Sequence, residues 1–232
     1  GWPMFGGIDF GAWRFSFVLA TADRAKRLHV IDELFSQQET LSARAKSIDE
    51  LLTNWGAPET TPIWGDSANP QDILEINQAF RTMGSRYRVR AVSKTSGESK
   101  PYRRACVERL QDLLGRRALL FNRSMGRSMT WYKGASVASQ GKKMNGSRLM
   151  WEIRQWRYPE KRDGKAQAQD PDDDTADGAD SIAALRYLVM SWWKGAKYEA
   201  PEDKPNRNRD TGLEDVLERI AKQQHRIQRY PF

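Results

Sequence analysis

The order of its apolar segments constrains the fold of this chain more than any other feature. Three stretches with strand character follow one another at the start, MFGGIDF, WRFSFVLATAD and RLHVIDELF. Short runs of apolar residues, alternating with polar ones and bounded by glycine or polar clusters, are typical of β-strands. Because only short connections separate these three strands, we predict that they form an antiparallel meander.

Helical and strand patterns then alternate. The segments are LSARAKSIDELLTNWG (helix), TPIWGDSAN (short buried strand), PQDILEINQAFRTMG (helix), YRVRAV (strand) and YRRACVERLQDLL (helix). Gly56 and Gly84 follow the first two helical patterns, as expected where a helix stops. Three strands followed by alternating helices and strands predict an α/β fold. We expect a mixed sheet of five or more strands with helices on both faces.

Charge and cysteine content restrict the classes of function. The formal net charge is +8, which favours a polyanionic partner, with nucleic acid first and a membrane surface second. No apolar run approaches the ~18 residues that span a bilayer, so we do not expect a membrane protein. The single cysteine, Cys106, excludes an internal disulfide framework or a cysteine-cluster zinc site and fits a reducing compartment.

The positive charge is concentrated in one segment. Residues 116–165 contain thirteen Lys and Arg against three acidic residues, a net charge of +10. Their Gly, Ser, Met and Lys content predicts a flexible basic arm or long hairpin over residues 116–150. We predict DNA-phosphate contacts for lysines and arginines here and just before the third helix: Lys142, Lys143, Arg148, Lys94 and Lys100.

The chain is predicted to divide near residue 196. Residues 1–196 would form the α/β domain, and residues 197–232 a polar tail with one short helix, GLEDVLERIAKQQHRI. The first residues, GWPMFGG, contain neither an initiator methionine at the start nor a recognisable leader. We interpret the chain as an excised part of a longer protein, from which a partner domain is missing.

Three aspartates occupy positions that suggest a metal site. Asp9 ends the first strand, Asp66 ends the fourth, and Asp180 opens a late apolar helix. If the two strands are neighbours and the helix crosses that end of the sheet, three carboxylates meet and repel one another. Mg²⁺ or Mn²⁺, which prefer hard oxygen ligands, would remove that repulsion. Each residue alone also has a structural interpretation: a turn residue for Asp9 and Asp66, a helix N-cap for Asp180.

The chain resembles the ribonuclease H-like nucleases, and in particular the nuclease domain of tailed-bacteriophage terminase large subunits. The resemblance is carried by GIDFG, IWGDSANP, VSKTSGESKPYRRACVERLQDLL, LMWEIRQWRYPE and DGADSIAALRYLV, which lie between residue 4 and about residue 193. It implies a metal-dependent endonuclease that cuts double-stranded viral DNA concatemers during packaging, with two Mg²⁺ or Mn²⁺ ions held by Asp9, Asp66 and Asp180.

The same resemblance implies several partners. They are a packaging ATPase domain that precedes this one, the small terminase subunit, and the capsid portal, which residues 197–232 would meet. The place of action would be the cytoplasm of the infected bacterium.

The late helix departs from the family pattern. The family often has an acidic residue or His, then Asp, followed directly by Ala-x-Arg-Tyr, whereas ALRY stands one helical turn later here. Asp177 occupies the acid-or-His position, three residues before Asp180. We assign Asp180 as the ligand, and Asp177 is either a fourth carboxylate or the true third ligand.

Other functions fit parts of the sequence. GIDFG also resembles the first phosphate loop of actin-like and sugar-kinase folds, although the chain is short for two such subdomains. A Holliday-junction resolvase or transposase-like nuclease would share the carboxylates. A non-catalytic DNA-binding module would use them only as caps and turns.

Overall fold

A computed structural model describes residues 1–11, 13–92, 99–133, 142–157 and 177–195. The strands are β1 (Met4–Phe10), β2 (Arg14–Ala22), β3 (Leu28–Gln37), β4 (Pro62–Gly65), β5 (Arg88–Ala91), β6 (Leu119–Phe121), β7 (Thr130–Tyr132) and β8 (Lys143–Asn145). The helices are α1 (Leu41–Asn54), α2 (Pro70–Thr82), α3 (Ser99–Gly115), α4 (Arg148–Gln155) and α5 (Asp180–Gly195).

Six strands form one mixed sheet in the order β5-β4-β1-β2-β3-β6. Strands β1, β2 and β3 are an antiparallel meander, as predicted. β4 pairs in parallel with β1, β5 with β4, and β6 with β3. Five of these strands were predicted from the sequence patterns. The patterns missed β6, because LLF is only three residues long and lies inside the basic segment.

Helices cover both faces of the sheet, as predicted. On one face, Ile8 and Phe10 of β1 pack with Ile48 of α1 and Ile76 of α2. On the other face, residues of β2 and β3 pack against α3, α4 and α5, whose core members include Leu113, Leu149, Leu185 and Leu188. Alternate residues of the central strands β1, β2 and β3 therefore belong to two separate apolar layers.

Helix α5 lies unusually close to β1. A Cβ atom on Gly7 would come within 2.1 Å of the Ala184 carbonyl oxygen and 2.8 Å of Leu188 Cβ. Any side chain at residue 7 would push the helix away. Gly7 thus allows the short distance between β1 and α5, the helix that begins with Asp180.

Strands β7 and β8 form a second, two-stranded antiparallel sheet, called here the β7–β8 hairpin. Trp131 of β7 is buried and packs edge-to-face on Phe35 of β3 and Trp151 of α4, with ring centroids 6.1 and 5.1 Å apart. The Gln37 side chain exchanges hydrogen bonds of 2.9 and 3.0 Å with the backbone of Tyr132. β7, which lies in the segment predicted as an arm, therefore packs against β3 and α4. Residues 134–141 lie outside the described part.

The chain divides into two compact units, Gly1–Tyr198 and Glu199–Phe232. The second unit is not among the described residues, so the predicted tail with one short helix stays a prediction. Of the helices that the structure describes, none combines the length and the hydropathy needed to cross a membrane.

Candidate functional site

Two carboxylates lie at the C-terminal ends of the neighbouring strands β1 and β4. Asp9 lies near the end of β1 and Asp66 directly follows β4, and the residues before them, Ile8 and Gly65, are paired in register. Both aspartates are half-buried. Because side chains alternate along a strand, Asp9 points to the same face as Gly7, which is the face that α5 covers. The first and fourth strands are thus neighbours, which is the condition under which Asp9 and Asp66 were expected to lie together.

A tyrosine of α5 binds one of these carboxylates. The Tyr187 hydroxyl group donates a 2.7 Å hydrogen bond to Asp66 Oδ2, while Asp66 Oδ1 accepts one of 2.8 Å from the Ala68 backbone. Burial raises the pKa of Tyr187, and the negative charges of Asp9 and Asp66 raise it further. Tyr187 therefore stays protonated and remains a donor. The sequence analysis did not single it out, although its place seven residues after Asp180 puts both on one helical face.

Asp180 begins α5 and is 8% exposed. Arg14 Nε lies 3.0 Å from Asp180 Oδ2, and Arg148 Nη2 lies 3.9 Å from the same oxygen. Oδ2 accepts no well-aligned hydrogen bond, so the contact with Arg14 is an ion pair. Burial raises the pKa of Asp180 even though the two arginines act to lower it. Asp180 is therefore a buried carboxylate whose charge is balanced by arginine.

The turn before α5 is held in a rare backbone conformation. Asp177, Gly178 and Ala179 have φ angles of +53°, +97° and +52°. The left-handed region is unfavourable for residues with a Cβ, so surrounding contacts must impose it. The Asp177 carbonyl oxygen accepts hydrogen bonds from both Arg14 and Arg148.

The Asp177 carboxylate is engaged by the same two arginines. Its oxygens lie 3.2 Å from Arg148 Nη1 and 3.5 Å from Arg14 Nη1. The same two arginines thus contact both Asp177 and Asp180, and the choice between these two as the third ligand stays a prediction.

The three predicted ligands are not gathered into one cluster. Within the described ranges of the chain, no three Asp, Glu, His or Cys side chains are close enough together to hold one metal ion. Asp9 and Asp66 lie together beside Tyr187, whereas Asp180 is paired with Arg14. The donor chemistry of Asp9 and Asp66, two carboxylates at neighbouring strand ends, fits a hard divalent cation.

Asp180 is nonetheless close in the fold to Asp9. Ser181, the next residue, has its Oγ atom 2.8 Å from Ser16 Oγ, and Ser16 is the register partner of Asp9. The start of α5 is thus fixed against the strand pair that carries Asp9.

Comparison with solved structures identifies the fold. The structure is similar to the nuclease domain of the large terminase (g2p) of bacteriophage SPP1, solved with bound Mn. The TM-score is 0.54 at 17% identity, over 82% of this chain and 86% of that one. It is also similar to the large terminase of bacteriophage HK97, with a TM-score of 0.54 at 10% identity, over 82% of this chain and 40% of that one. The chain has a ribonuclease H-like fold.

Sequence comparison adds no relative. No protein-family model matches the chain, and no curated protein sequence matches it significantly. The expected resemblance is confirmed for the ribonuclease H-like fold, which these distant structures share.

One predicted DNA contact is corrected by the structure. Arg148 is 0% exposed and lies inside the ribonuclease H-like domain. Its guanidinium carbon is 4.4 to 4.9 Å from the ring centroids of Phe35, Trp131 and Trp151, and its Nε donates a 2.7 Å hydrogen bond to Glu152 Oε1. A side chain enclosed in this way is not a surface contact for phosphate. Its place in a basic, glycine-rich segment had suggested exposure.

The other predicted contacts divide into two groups. Lys142 and Lys143, at the start of β8, are exposed. Lys94 and the side chain of Lys100 lie outside the part that the structure describes. Binding of DNA by these four lysines stays a prediction.

Two buried glutamates hold the starts of α4 and α5, and neither was predicted from the sequence. Glu152 Oε2 accepts a 2.9 Å hydrogen bond from the Ile182 backbone, and Glu33 Oε2 accepts one of 2.9 Å from the Leu149 backbone. Each glutamate thus binds an N–H in the first turn of a helix, which no helix carbonyl can reach. Burial raises the pKa of Glu152 to about 8 and that of Glu33 to about 7. Nothing in the local sequence separates them from exposed glutamates.

Proposed function

We propose that the chain is a metal-dependent endonuclease that cuts double-stranded DNA. The observation that carries the proposal is the meeting of Asp9 and Asp66 on neighbouring strand ends, with the Tyr187 hydroxyl group bound to Asp66 at 2.7 Å. The bound Mn of the similar SPP1 nuclease domain supports a divalent cation at this site.

Each residue of the candidate site has a separate role in the proposed reaction. Asp9, Asp66 and Asp180 would hold the cations, Mg²⁺ or Mn²⁺. Bound there, two divalent cations supply an activated water and stabilise the charge on the leaving 3′ oxygen. Tyr187 keeps Asp66 in one orientation. Lys142 and Lys143 would bind backbone phosphates, which carry no sequence information.

The biological setting that we propose is viral genome packaging, with cutting of DNA concatemers in the cytoplasm of the infected bacterium. Similarity to the SPP1 and HK97 large terminases supports this setting. The aligned part spans 40% of the HK97 protein. The preceding ATPase domain, the small terminase subunit and the portal are accordingly proposed partners.

Plasmid digestion tests the activity. We expect the chain to nick and linearise supercoiled plasmid with Mn²⁺ or Mg²⁺, and to be inactive in EDTA. Asp9→Asn and Asp66→Asn should each abolish cleavage with the fold retained. Asp49→Asn, in α1 on the opposite face of the sheet, is the matched control and should cleave normally. Full activity in Asp66→Asn would refute the assignment.

The choice of DNA separates this proposal from the resolvase alternative. We expect a linear duplex and a four-way junction with the same arms to be cut at similar rates. Strong preference for the junction would show that the nuclease resolves branched DNA instead.

A further inference from the structure

Two exposed aromatic side chains lie beside the candidate site. Trp13, between β1 and β2, is 62% exposed, and Tyr132 of β7 is 47% exposed. A single exposed apolar residue is ordinary on a protein surface. These two residues, however, are both attached to one pair of strand residues, Arg14 and Gln37, which are register partners. Their shared attachment distinguishes them from scattered surface residues.

The attachment of both aromatic residues runs through the backbone. Trp13 directly precedes Arg14, and its carbonyl oxygen accepts a 2.9 Å hydrogen bond from the Gln38 backbone N–H. The Gln37 side chain exchanges hydrogen bonds of 2.9 and 3.0 Å with the Tyr132 backbone. Both residues therefore lie where β2 begins and β3 ends.

The same end of the sheet carries Asp9. Asp9 is the register partner of Ser16, which follows Arg14 by two residues. Because alternate residues of a strand point to the same face, Arg14 shares with Asp9 the face that α5 covers. Arg14 also contacts the first residue of α5, since its Nε atom lies 3.0 Å from Asp180 Oδ2. The two aromatic residues are thus attached next to the candidate site.

Exposed lysines accompany the aromatic rings. Lys143 is the register partner of Tyr132, so the two side chains leave the β7–β8 hairpin on the same face. Trp131, the residue before Tyr132, is buried on the other face of the hairpin. Lys133 and Lys142, whose backbones are joined by a 3.0 Å hydrogen bond, are also exposed. The surface therefore combines aromatic rings with positive charge.

We propose that Trp13, Tyr132, Lys142 and Lys143 form a binding site for an unpaired DNA strand, called here the aromatic–lysine surface. Aromatic rings stack on the faces of bases, and lysines bind the phosphates between them. In a paired duplex those faces are covered by neighbouring base pairs, so the rings select unpaired nucleotides. The inference rests on the proposed function and narrows its substrate to DNA whose strands are separated next to the cut, as at a gap or a frayed end.

Strand binding in EDTA tests the surface without any metal ion. Fluorescence anisotropy is measured with a labelled oligothymidine strand and with a blunt duplex of the same length. We expect Trp13→Ala and Tyr132→Ala each to bind the single strand about tenfold more weakly. The loss on the duplex should be less than about twofold, because duplex binding depends on phosphate contacts.

Leu74→Ala is the matched control for these variants. Leu74 is 62% exposed, as Trp13 is, but it belongs to α2, on the opposite face of the sheet. This variant should bind both DNAs as wild type does. Equal affinity for the single strand in wild type and in both alanine variants of the aromatic residues would overturn the inference and favour a protein partner for this surface.

Tryptophan fluorescence reports the stacking itself. A base stacked on an indole ring quenches its emission, so the single strand should quench part of the emission of the wild-type chain. Trp13→Phe keeps an aromatic ring and should bind the strand within about threefold of wild type, but that part of the quenching should be lost. Unchanged quenching in Trp13→Phe would show that the strand does not stack on Trp13 and would overturn the inference.

Failure of the proposed function has a different signature. If the chain cuts plasmid with Mn²⁺ while the alanine variants bind the single strand as wild type does, the nuclease stands and the aromatic–lysine surface is refuted. If the alanine variants lose strand binding but the wild-type chain cuts no DNA with Mn²⁺ or Mg²⁺, the surface stands and the nuclease assignment is refuted.

Discussion

The Tyr187 hydroxyl group donates a 2.7 Å hydrogen bond to Asp66 Oδ2, and this bond links α5 to the end of β4. Hydrogen bonds to charged groups are stronger than neutral ones and fix the orientation of the acceptor. We expect Tyr187→Phe to lower the plasmid cleavage rate about tenfold, equivalent to about 1.4 kcal/mol. Tyr87→Phe, which removes a tyrosine hydroxyl group from the apolar layer on the opposite face of the sheet, should be unaffected. Equal rates in both variants would show that the hydroxyl group does not orient Asp66.

The stability of the domain should depend on pH through Glu33. Burial raises its pKa from 4.5 to about 7, so the folded chain keeps a proton that the unfolded chain has already lost. The free energy of unfolding should therefore fall as pH rises between these values, by about 3 kcal/mol from this group. Urea unfolding from pH 4.5 to 8 measures the change.

Glu33→Gln is the variant that isolates this effect. It keeps an oxygen for the Leu149 N–H but cannot ionise, so its pH dependence should be flatter than that of wild type. Glu59→Gln, an exposed glutamate, should leave the wild-type curve unchanged. Parallel curves of unfolding free energy against pH for Glu33→Gln and wild type would contradict the prediction. Glu152, whose pKa is also raised, contributes equally to both curves.

Removal of Arg148 should destabilise the fold rather than weaken DNA binding. Arg148→Ala removes the 2.7 Å hydrogen bond to the buried Glu152 carboxyl group and the guanidinium that lies over three aromatic rings. An unsatisfied buried polar group costs about 1–3 kcal/mol, and the loss of packing adds to this cost. Arg154→Ala, an exposed position in the same helix, should cost less than about 0.5 kcal/mol. A similar free energy of unfolding for both variants would contradict the buried role.

Phosphate contact by the β7–β8 hairpin should be visible in salt dependence. Each phosphate contact contributes ~0.9 log units of affinity per tenfold change in salt, so Lys142→Ala with Lys143→Ala should reduce the slope by ~1.8. The loss should be alike on unrelated sequences. Lys46→Ala, exposed on α1, is the control. An unchanged slope in the double variant would place the DNA elsewhere, for example along residues 81–104.

The close approach of α5 to β1 gives a sharp stability test. In Gly7→Ala, the new methyl group would lie 2.1 Å from the Ala184 carbonyl oxygen, and we expect a loss of at least about 3 kcal/mol. A methyl group on Gly115, at the end of α3, would meet nothing within 4 Å. Gly115→Ala should be neutral or stabilising by up to about 1 kcal/mol. Equal stabilities would mean that α5 can shift freely.

Local patterns predicted most of the sheet and drew attention to Asp9 and Asp66. Asp9 and Asp66 follow strong apolar strands, and the parallel pairing of β1 with β4 brings them together. Such positions can be predicted from sequence because strand periodicity and strand ends depend on residues that are neighbours along the chain.

The partners of Asp180 could not be predicted from local sequence patterns. Arg14 reaches Asp180 across 166 positions of sequence, and Arg148 is enclosed by rings from three separate elements. A buried arginine has the same local sequence as a surface one, because its burial is decided by distant segments. The same holds for Glu33 and Glu152.

The chain positions of the site residues have a consequence for synthesis. Ser16 and Ser181, which dock the first strands against α5, are 165 residues apart. Domains emerge from the ribosome N-terminus first, so Asp9 and Asp66 are made long before Tyr187 and Asp180. A nascent or prematurely terminated chain lacks the helix that completes the site. Under the proposed function, synthesis of α5 would therefore set the time at which the chain first becomes able to cleave DNA.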